Sequence, residues 1–193
     1  MREFVLLSLN GRTSEFDLND LTFGRIDLVC RAVSSALFVS DHIRRDTNIY
    51  VFLNGSDNPP KMISFIGETI KDITPDEKTI SRLILAALKK GRSLVLEQEI
   101  EVSPGIRVAK KSFEKFVKEK SKENKLFYLS KKGTDIRNLN SFQGLFILGD
   151  NLGLPKKTEK LLKNLNADTI SLGPAVLFAS HCIILVHNEI DRK

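Results

Sequence analysis

Two short apolar runs near the carboxyl terminus, each followed at once by a glycine-containing loop, constrain this chain more than any other feature. Leu145–Leu148 leads into the loop Gly149–Gly153, and Thr169–Leu172 leads into Gly173-Pro174. Glycine permits positive φ angles and lets another group come close to the main chain, so both loops can expose backbone N–H and C=O groups. In open α/β sheets small molecules bind beyond the carboxyl ends of the strands. The pattern predicts a ligand pocket between the loops, although two ordinary turns fit the spacing alone, because neither loop is a G-x-G-x-x-G or Walker A sequence.

The remainder of the chain alternates between strand-like and helix-like segments. Phe4–Leu7 is an apolar run of strand length ended by the turn dipeptide Asn10-Gly11, and from Gly24 onward apolar residues recur at three- and four-residue steps. Such alternation predicts an α/β fold with a mostly parallel sheet flanked by helices. We expect one domain over residues 1–193, with a small β-excursion at about 93–111, where Pro104-Gly105 marks a turn.

Two helices have boundaries that the sequence suggests. Thr74, Pro75 and Glu77 form the pattern of a capping box, which predicts a helix with Thr74 as N-cap and Gly91 just past its end. A closing helix is predicted over Val176–Glu189. Because it is apolar on most sides, it needs cover from more than one direction, which indicates a dimer interface or deep burial.

Composition narrows the class of protein and of partner. Hydrophobic residues make up 41% and charged residues 28% of the chain, as in soluble globular proteins. No apolar run approaches the ~20 residues of a membrane span, and the first residues read as a strand rather than a signal peptide, so we expect a cytoplasmic protein without membrane contact. The net charge of +6 favours a polyanionic partner, although on its own this is a weak indication. Cys30 and Cys182 have no metal-ligand spacing, which argues against a bound metal or a disulfide framework.

Longer motifs carry a family resemblance. The runs LGDNLGLP, ISLGPAVLFASHC and HNEID resemble the SPOUT methyltransferase superfamily. Together with FGRIDLVCRAVSSALFVSDHIRRDT and VSPGIRVAKKSFE they narrow the resemblance to the archaeal tRNA (pseudouridine-N1)-methyltransferases, the TrmY family. This resemblance covers nearly the whole chain. It implies a carboxyl-terminal deep trefoil knot, an obligate homodimer, and S-adenosylmethionine bound in the knot at the subunit interface. It also implies methylation of N1 of pseudouridine at position 54 in the T loop of tRNA.

The same resemblance implies which residues bind the cofactor. Aliphatic side chains suit the faces of adenine, and exposed main-chain groups suit its edge and the ribose. Cys182 equally fits a plain buried apolar residue, since free cysteines are often buried, and no histidine stands where it would activate the thiol. The implied cofactor-binding residues are Leu129, Gly149, Ser171, Leu172, Gly173, Pro174, Val176, Leu177 and Cys182.

Charged residues at the start of the first helix are the candidates for catalysis. Asp27 and Arg31 stand four residues apart, and Arg25 precedes the helix. As a solvated pair, Asp27 and Arg31 would contribute only ~0.3–0.5 kcal/mol. The resemblance favours a role at the substrate base, and we assign Asp27 as the base that takes the N1 proton, oriented by Arg25 or Arg31.

The sequence suggests three arginines as RNA contacts, and it leaves two alternative functions open. Arg44, Arg45 and Arg107 are predicted to hold the RNA backbone while the target base leaves the stack. One alternative is a pseudouridine N1-methyltransferase of small-subunit ribosomal RNA. The other is a non-catalytic RNA-binding assembly factor that keeps the fold but has lost turnover. The intact glycine loops count against the second alternative.

Overall fold

The structure is a computed structural model that describes residues 1–40, 42–139 and 141–193. These residues form ten strands, five α-helices and a short 3₁₀ helix at Ile136–Asn138. In chain order the strands and α-helices are β1 (Arg2–Ser8), α1 (Ile26–Leu37), β2 (Phe38–Val39), β3 (His42–Ile43), β4 (Thr47–Leu53), β5 (Lys61–Ile66), α2 (Glu77–Lys90), β6 (Glu99–Ser103), β7 (Ile106–Ala109), α3 (Phe113–Lys120), β8 (Leu126–Asp135), β9 (Leu145–Gly149), α4 (Lys156–Asn164), β10 (Asp168–Ser171) and α5 (Ala179–Asp191).

Eight of these strands build one large sheet in the order β10-β8-β9-β1-β4-β5-β7-β6. The five strands from β10 to β4 run parallel to their neighbours, whereas β5, β7 and β6 add antiparallel pairs at the far edge. The predicted mostly parallel α/β sheet flanked by helices is therefore confirmed. The segment predicted as a β-excursion at about 93–111 forms the β6–β7 hairpin, which extends the main sheet.

Helices cover both faces of the sheet, which explains the continuous apolar run in β1. Phe4 and Leu6 point to the face packed by α1, α2 and α5, while Val5 and Leu7 point to the face packed by α3 and α4. All four side chains are at most 1% exposed. A parallel strand buried on both faces has no solvent-facing positions, so it loses the polar alternation of a half-buried strand.

The predicted helix starts are wrong by a few residues at α2 and α5. The N-cap of α2 is Asp76, whose Oδ1 accepts a hydrogen bond of 2.9 Å from the Thr79 N–H, and the Thr74 hydroxyl donates to Asp76. These two bonds hold the pKa of Asp76 at about 2. A carboxylate at this position also interacts favourably with the positive end of the helix dipole, which favours Asp76 over Thr74. Helix α2 ends before Gly91 as predicted.

Helix α5 begins at Ala179 rather than Val176, because the preceding residues 175–178 continue the second glycine loop. No α-helix in the described ranges combines the length and apolarity needed to cross a bilayer. Cys30 and Cys182 are free thiols, and the described residues contain no cluster of three or more metal-ligand side chains.

The carboxyl ends of the parallel strands meet at one edge of the sheet, and both glycine loops lie there. Asp150 fixes the first loop to the end of β1. Its Oδ2 accepts a hydrogen bond of 2.8 Å from the Leu9 N–H, and its Oδ1 accepts one of 2.9 Å from the Leu152 N–H. The loop is thus held in place by main-chain donors from two separate parts of the chain.

A buried histidine joins α5 to the opposite edge of the sheet. His187 Nε2 donates to the Ala36 carbonyl at 3.0 Å, so Nδ1 is the acceptor for Arg2 Nη1 at 3.1 Å. His187 is 3% exposed. Burial, and then the charges of Arg44 and Arg2, lower its pKa from 6.5 to about 4. The imidazole is therefore neutral in the folded protein at pH 7.

This histidine makes stability depend on pH. The unfolded chain binds a proton at His187 near pH 6.5, and the folded chain only near pH 4. The contribution of neutral His187 to the free energy of unfolding is therefore fully present above pH 6.5 and is lost as the pH falls toward 4. We expect a loss of about 3 kcal/mol in unfolding free energy between pH 7 and pH 4 from this group. The variant His187→Gln, whose amide can still donate to Ala36, should lack that loss in urea denaturation across the same pH range. Equal losses in both proteins would contradict the assignment.

Candidate active site

A cleft of about 150 Å³ opens at the carboxyl edge of the sheet, where the two glycine loops face each other. Its walls come from the middle of β8, from the ends of β9 and β10 and from the chain leading into α5. Seven of the nine residues that the sequence implied for cofactor binding line this cleft. They are Leu129, Gly149, Leu172, Gly173, Val176, Leu177 and Cys182.

The other two implied residues, Ser171 and Pro174, belong to the second loop but do not line the cleft. Ser171 Oγ accepts a hydrogen bond of 3.2 Å from the Gly173 N–H and donates one of 3.1 Å to the Gly173 carbonyl. Ser171 is 8% exposed. Through these two bonds Ser171 holds the turn at Gly173 in shape without lining the cleft.

Three glycines account for the openness of the cleft in two different ways. A Cβ atom at Gly149 would lie 2.5 Å from the Gly153 carbonyl carbon, so only glycine allows the two ends of the first loop to come together. Gly153 and Gly173 have φ angles of 73° and 130°, and a Cβ atom at either would meet nothing within 4 Å. The main chain at these two positions is thus free for a ligand to approach.

Sequence reasoning missed several residues of the cleft. Asp150 and Gly153 stand inside the predicted loop, so their neighbourhood was visible in the sequence. The residues around Leu154 and Lys131 in the sequence do not indicate a binding role, because only the folded chain brings these two side chains to the cleft. Tyr128 also lines the cleft. Its hydroxyl donates to Glu159 at 2.7 Å, and burial followed by this bond raises the pKa of the phenol.

Cys182 forms part of the wall as a neutral thiol. Burial raises its pKa to about 11, and its nearest polar partner is the Leu177 carbonyl, 4.0 Å from Sγ. Because the thiolate is the nucleophilic form, this cysteine is unsuited to covalent catalysis at neutral pH. It serves as a small apolar surface, as the sequence reading allowed.

The three charged residues proposed for catalysis lie together at the start of α1. Arg25 Nε donates to Asp27 Oδ1 at 3.2 Å, and Arg31 Nη2 donates to Asp27 Oδ2 at 2.6 Å. Burial raises the pKa of Asp27, but hydrogen bonds from Arg31, from the Leu28 N–H and from Arg25 outweigh it, so the pKa lies below its ordinary value. The carboxylate is therefore ionised at neutral pH and fixed between two guanidinium groups.

Arg25 itself has a φ angle of 56°, in the left-handed region. This conformation is uncommon for a residue with a long side chain and costs of order 1–3 kcal/mol. It places Arg25 as the residue that immediately precedes α1, within reach of Asp27. Strain of this kind persists where the surrounding structure holds it, and it is concentrated at functional sites.

Leu28 connects the charged group to the cleft. Leu28, the residue after Asp27, lines a second opening of about 540 Å³. This opening and the first cleft share Asp150, Gly153 and the chain before α5. The side chains of Arg25, Asp27 and Arg31 line neither opening, so their role at the substrate stays a prediction.

The three arginines predicted to contact RNA lie elsewhere in the chain. Arg44 and Arg45 precede β4, so they stand at the opposite edge of the sheet, about 20 Å away along a seven-residue strand. Arg44 Nη2 bonds Asp191 at 2.6 Å, and Arg45 Nη1 donates to two main-chain carbonyls. The side chain of Arg107 on β7 is 53% exposed and lies 3.4 Å from Glu99. Their contact with RNA stays a prediction.

Known proteins share both the sequence and the fold. The profile of a family described as "Putative SAM-dependent RNA methyltransferase" matches residues 1–193. The tRNA (pseudouridine(54)-N(1))-methyltransferase of Methanocaldococcus jannaschii is 41% identical, with 100% of this chain and 98% of the relative aligned. The protein of the same name from Methanococcoides burtonii is 40% identical, with 100% and 97% aligned.

A solved structure agrees at the level of the fold. Nep1 of Archaeoglobus fulgidus, crystallised with S-adenosylhomocysteine, superposes with a TM-score of 0.64 at 14% identity, covering 99% of this chain and 97% of that one. The family profile and the two relatives each extend over the entire sequence. The chain therefore belongs to this family of SAM-dependent RNA methyltransferases.

Proposed function

We propose that this protein methylates N1 of pseudouridine 54 in the T loop of tRNA, with S-adenosylmethionine as methyl donor, in the cytoplasm. The observation that carries the proposal is the open cleft between the two glycine loops, with Leu28, the neighbour of Asp27, at the opening next to it, in a chain whose full-length relatives have this activity in their names. The cleft supports donor binding, and Asp27 with its two arginines supports handling of a polar base.

The cleft suits the proposed donor in its chemistry. Leu129, Leu148 and Leu154 offer aliphatic surface for adenine, and the open main chain at Gly153 and Gly173 offers hydrogen-bond partners. When bound there, the donor would supply an electrophilic methyl group on a positively charged sulfur, and the S–CH3 bond would break to leave the neutral thioether as the methyl group passes to N1.

The residues of this chain then have to hold the uracil ring and manage one proton. N1 must lose its proton to become a nucleophile, so positioning and one acceptor supply most of what the protein can contribute. Asp27 accepts the N1–H hydrogen bond and takes the proton as N1 forms its new bond. Arg25 and Arg31 keep the carboxylate oriented, and their remaining N–H groups can bind the uracil carbonyls or a phosphate.

We also propose that the carboxyl-terminal segment passes through an earlier loop to form the deep trefoil knot. Strand β10 pairs with β8 in two sections, at Phe127–Tyr128 and again at Thr134–Asp135, so residues 129–133 form a bulge that has no partner on β10. A Cβ atom at Gly133 would lie 2.4 Å from the Ile170 main chain, so the end of this bulge is in close contact with β10. An experimental trace of the backbone tests the threading.

A homodimer is the third part of the proposal. Four large apolar side chains near the second opening or on α5 are unusually exposed: Leu152 57%, Val176 80%, Phe178 61% and Ile184 52%. Such a patch next to a ligand cleft is typical of an interaction surface. A second copy of the chain covering it would also enclose the cofactor.

The dimer has a direct test in the variant Phe178→Asp. A charge in a buried interface costs several kcal/mol, so we expect a monomer in light scattering and weakened S-adenosylmethionine binding. The matched control is Leu96→Asp, because Leu96 is 64% exposed in the chain between α2 and β6. It should stay dimeric. A dimeric Phe178→Asp variant with normal binding would refute this interface.

The activity itself is tested by mass spectrometry of RNA nucleosides after incubation with labelled S-adenosylmethionine. A tRNA transcript with pseudouridine at position 54 should yield N1-methylpseudouridine, and the same transcript with uridine should not. Methylation only of a pseudouridine-containing helix of small-subunit ribosomal RNA would favour the ribosomal alternative. RNA binding without methylation, and without calorimetric heat on adding the donor, would favour the non-catalytic assembly factor.

Three arginines remain proposed phosphate contacts: Arg44, Arg45 and Arg107. If they bind phosphates, tRNA binding by their alanine variants should depend less steeply on salt concentration than that of the wild type.

A further inference from the structure

Phe23 is an exposed aromatic side chain that packs against a neighbouring arginine. It is 61% exposed. The guanidinium carbon of Arg12 lies 5.0 Å from the centre of its ring, within cation–π distance. One face of the ring is therefore occupied by a cation, while much of the side chain remains open to solvent.

The turn that carries Phe23 is held by several hydrogen bonds. Asp20 Oδ1 accepts from the Phe23 N–H at 3.3 Å and from the Thr22 hydroxyl at 2.7 Å. The Arg12 N–H donates to the Gly24 carbonyl at 3.1 Å, which ties the turn to the chain after β1. Gly24 has a φ angle of 75°, and a Cβ atom there would lie 2.8 Å from Arg12 Cβ. The side chain thus projects from a rigid base.

Arg12 is fixed from its other side as well. Its Nε donates to the Glu15 carbonyl at 3.1 Å, and its Nη2 lies 3.5 Å from Asp57. Both contacts favour the position of the guanidinium over the ring. The Arg12–Phe23 pair is therefore a preformed flat surface, and its ordering costs little when a ligand binds.

This pair lies at the edge of the sheet that holds the cofactor cleft. Arg12 follows β1, and the Gly55 N–H, just after β4, donates to the Gly11 carbonyl at 2.8 Å. Both strands end at the carboxyl edge. Phe23 also stands two residues before Arg25 and five before Leu28, so its Cα is at most about 18 Å from that of Leu28, which lines the opening next to the cleft.

We infer that Phe23 is a stacking platform for a nucleobase of the RNA substrate that neighbours the base undergoing methylation; this inference rests on the proposed function. Extruding a base from a loop removes a stacking partner from its neighbours, and an aromatic side chain can replace it. Stacking on an aromatic ring tolerates any base, since every base has a π face. The nearby guanidinium groups of Arg12 and Arg25 add attraction for the adjoining phosphates.

The absence of tryptophan from the sequence gives a direct optical test. In Phe23→Trp the new indole is the only one in the chain, and its emission should be quenched when a T-arm stem–loop RNA with pseudouridine at position 54 is added with S-adenosylhomocysteine. The control is Leu96→Trp, at a comparably exposed position between α2 and β6, which should show no quenching. Quenching equal to that of the control would overturn the inference.

Steady-state kinetics separate stacking from mere proximity. Phe23→Ala should raise KM for the stem–loop about 5- to 140-fold, because one stacked base contributes about 1–3 kcal/mol. Phe23→Tyr should keep KM within about twofold of the wild type, and both variants should bind S-adenosylmethionine normally in calorimetry. A normal KM for Phe23→Ala, even with quenching in Phe23→Trp, would overturn the inference. Inactivity of the wild-type protein on this RNA would instead count against the proposed function, so the two failures are distinguishable.

Discussion

Replacing Gly149 with alanine should weaken S-adenosylmethionine binding by about 5- to 140-fold, the largest effect that we expect from a single methyl group in this protein. The added Cβ would lie 2.5 Å from the Gly153 carbonyl carbon and 2.7 Å from its oxygen, and both are main-chain atoms that no rotamer change can move away. The loop must therefore shift. A strained or displaced main chain of this kind costs of order 1–3 kcal/mol, and 1.4 kcal/mol is a factor of ten in affinity.

The loop has little freedom to absorb this shift. Gly149 pairs with Leu7 in the sheet, and the carboxylate of Asp150 is bonded to the Leu9 N–H at 2.8 Å. Displacement is therefore directed toward Gly153, whose main chain borders the cleft. We expect the fold to survive, with a lowered melting temperature, while the cofactor site is lost.

Gly67→Ala is the matched control for this prediction. Its Cβ would lie 2.3 Å from the main-chain oxygens of Arg44 and Thr47, so it meets a comparable main-chain clash at the opposite end of the sheet, outside the cleft. We expect a lowered melting temperature, with donor affinity within about threefold of the wild type. Isothermal titration calorimetry with S-adenosylmethionine compares the two variants. If Gly149→Ala binds as tightly as Gly67→Ala, the first loop is not part of the donor site.

Features encoded by neighbouring residues could be predicted from the sequence. The apolar run Leu145–Leu148 followed by Gly149 specifies a buried strand and a loop with little steric bulk, and both are local properties. The run Phe4–Leu7 likewise predicted a buried strand, because only a strand covered on both faces remains apolar at each position. These local patterns sufficed for the sheet and for the edge that holds the cleft.

Two kinds of feature could not be predicted from local patterns: the choice between two possible N-cap residues, and contacts between residues far apart in the chain. Thr74 and Asp76 are both good N-cap residues on either side of Pro75, and the choice of Asp76 depends on the extra bond from Thr74. The polar segment after Leu129 looks like a turn, yet β8 continues to Asp135 because β10 pairs with it. Arg44 bonds Asp191, 147 residues later in the chain, and no local pattern indicates that pairing.

Asp27→Asn should lower kcat by about 10²- to 10⁴-fold, the usual contribution of a positioned acid–base group. Asparagine keeps the shape of the side chain but offers one acceptor in place of two and has negligible affinity for a proton. The wild-type carboxylate is held ionised by Arg31 and Arg25 against the effect of burial, so its pKa lies below the ordinary range. Loss of its charge should leave S-adenosylmethionine affinity unchanged, because the cofactor cleft is lined by other residues.

Glu77→Gln provides the comparison that distinguishes catalysis from the simple loss of a partner for Arg31. Glu77 Oε1 lies 3.4 Å from Arg31 Nη1, so this variant also removes a carboxylate from the same guanidinium, but at a more exposed position. It should keep kcat within about threefold of the wild type. Because Asp27 is already ionised at neutral pH, its titration should not change the wild-type kcat between pH 6 and 8. Protonation of Asp27 should lower kcat only in strong acid. Turnover by Asp27→Asn close to that of Glu77→Gln, with the donor bound normally in both, would show that Asp27 neither takes the proton nor positions the base.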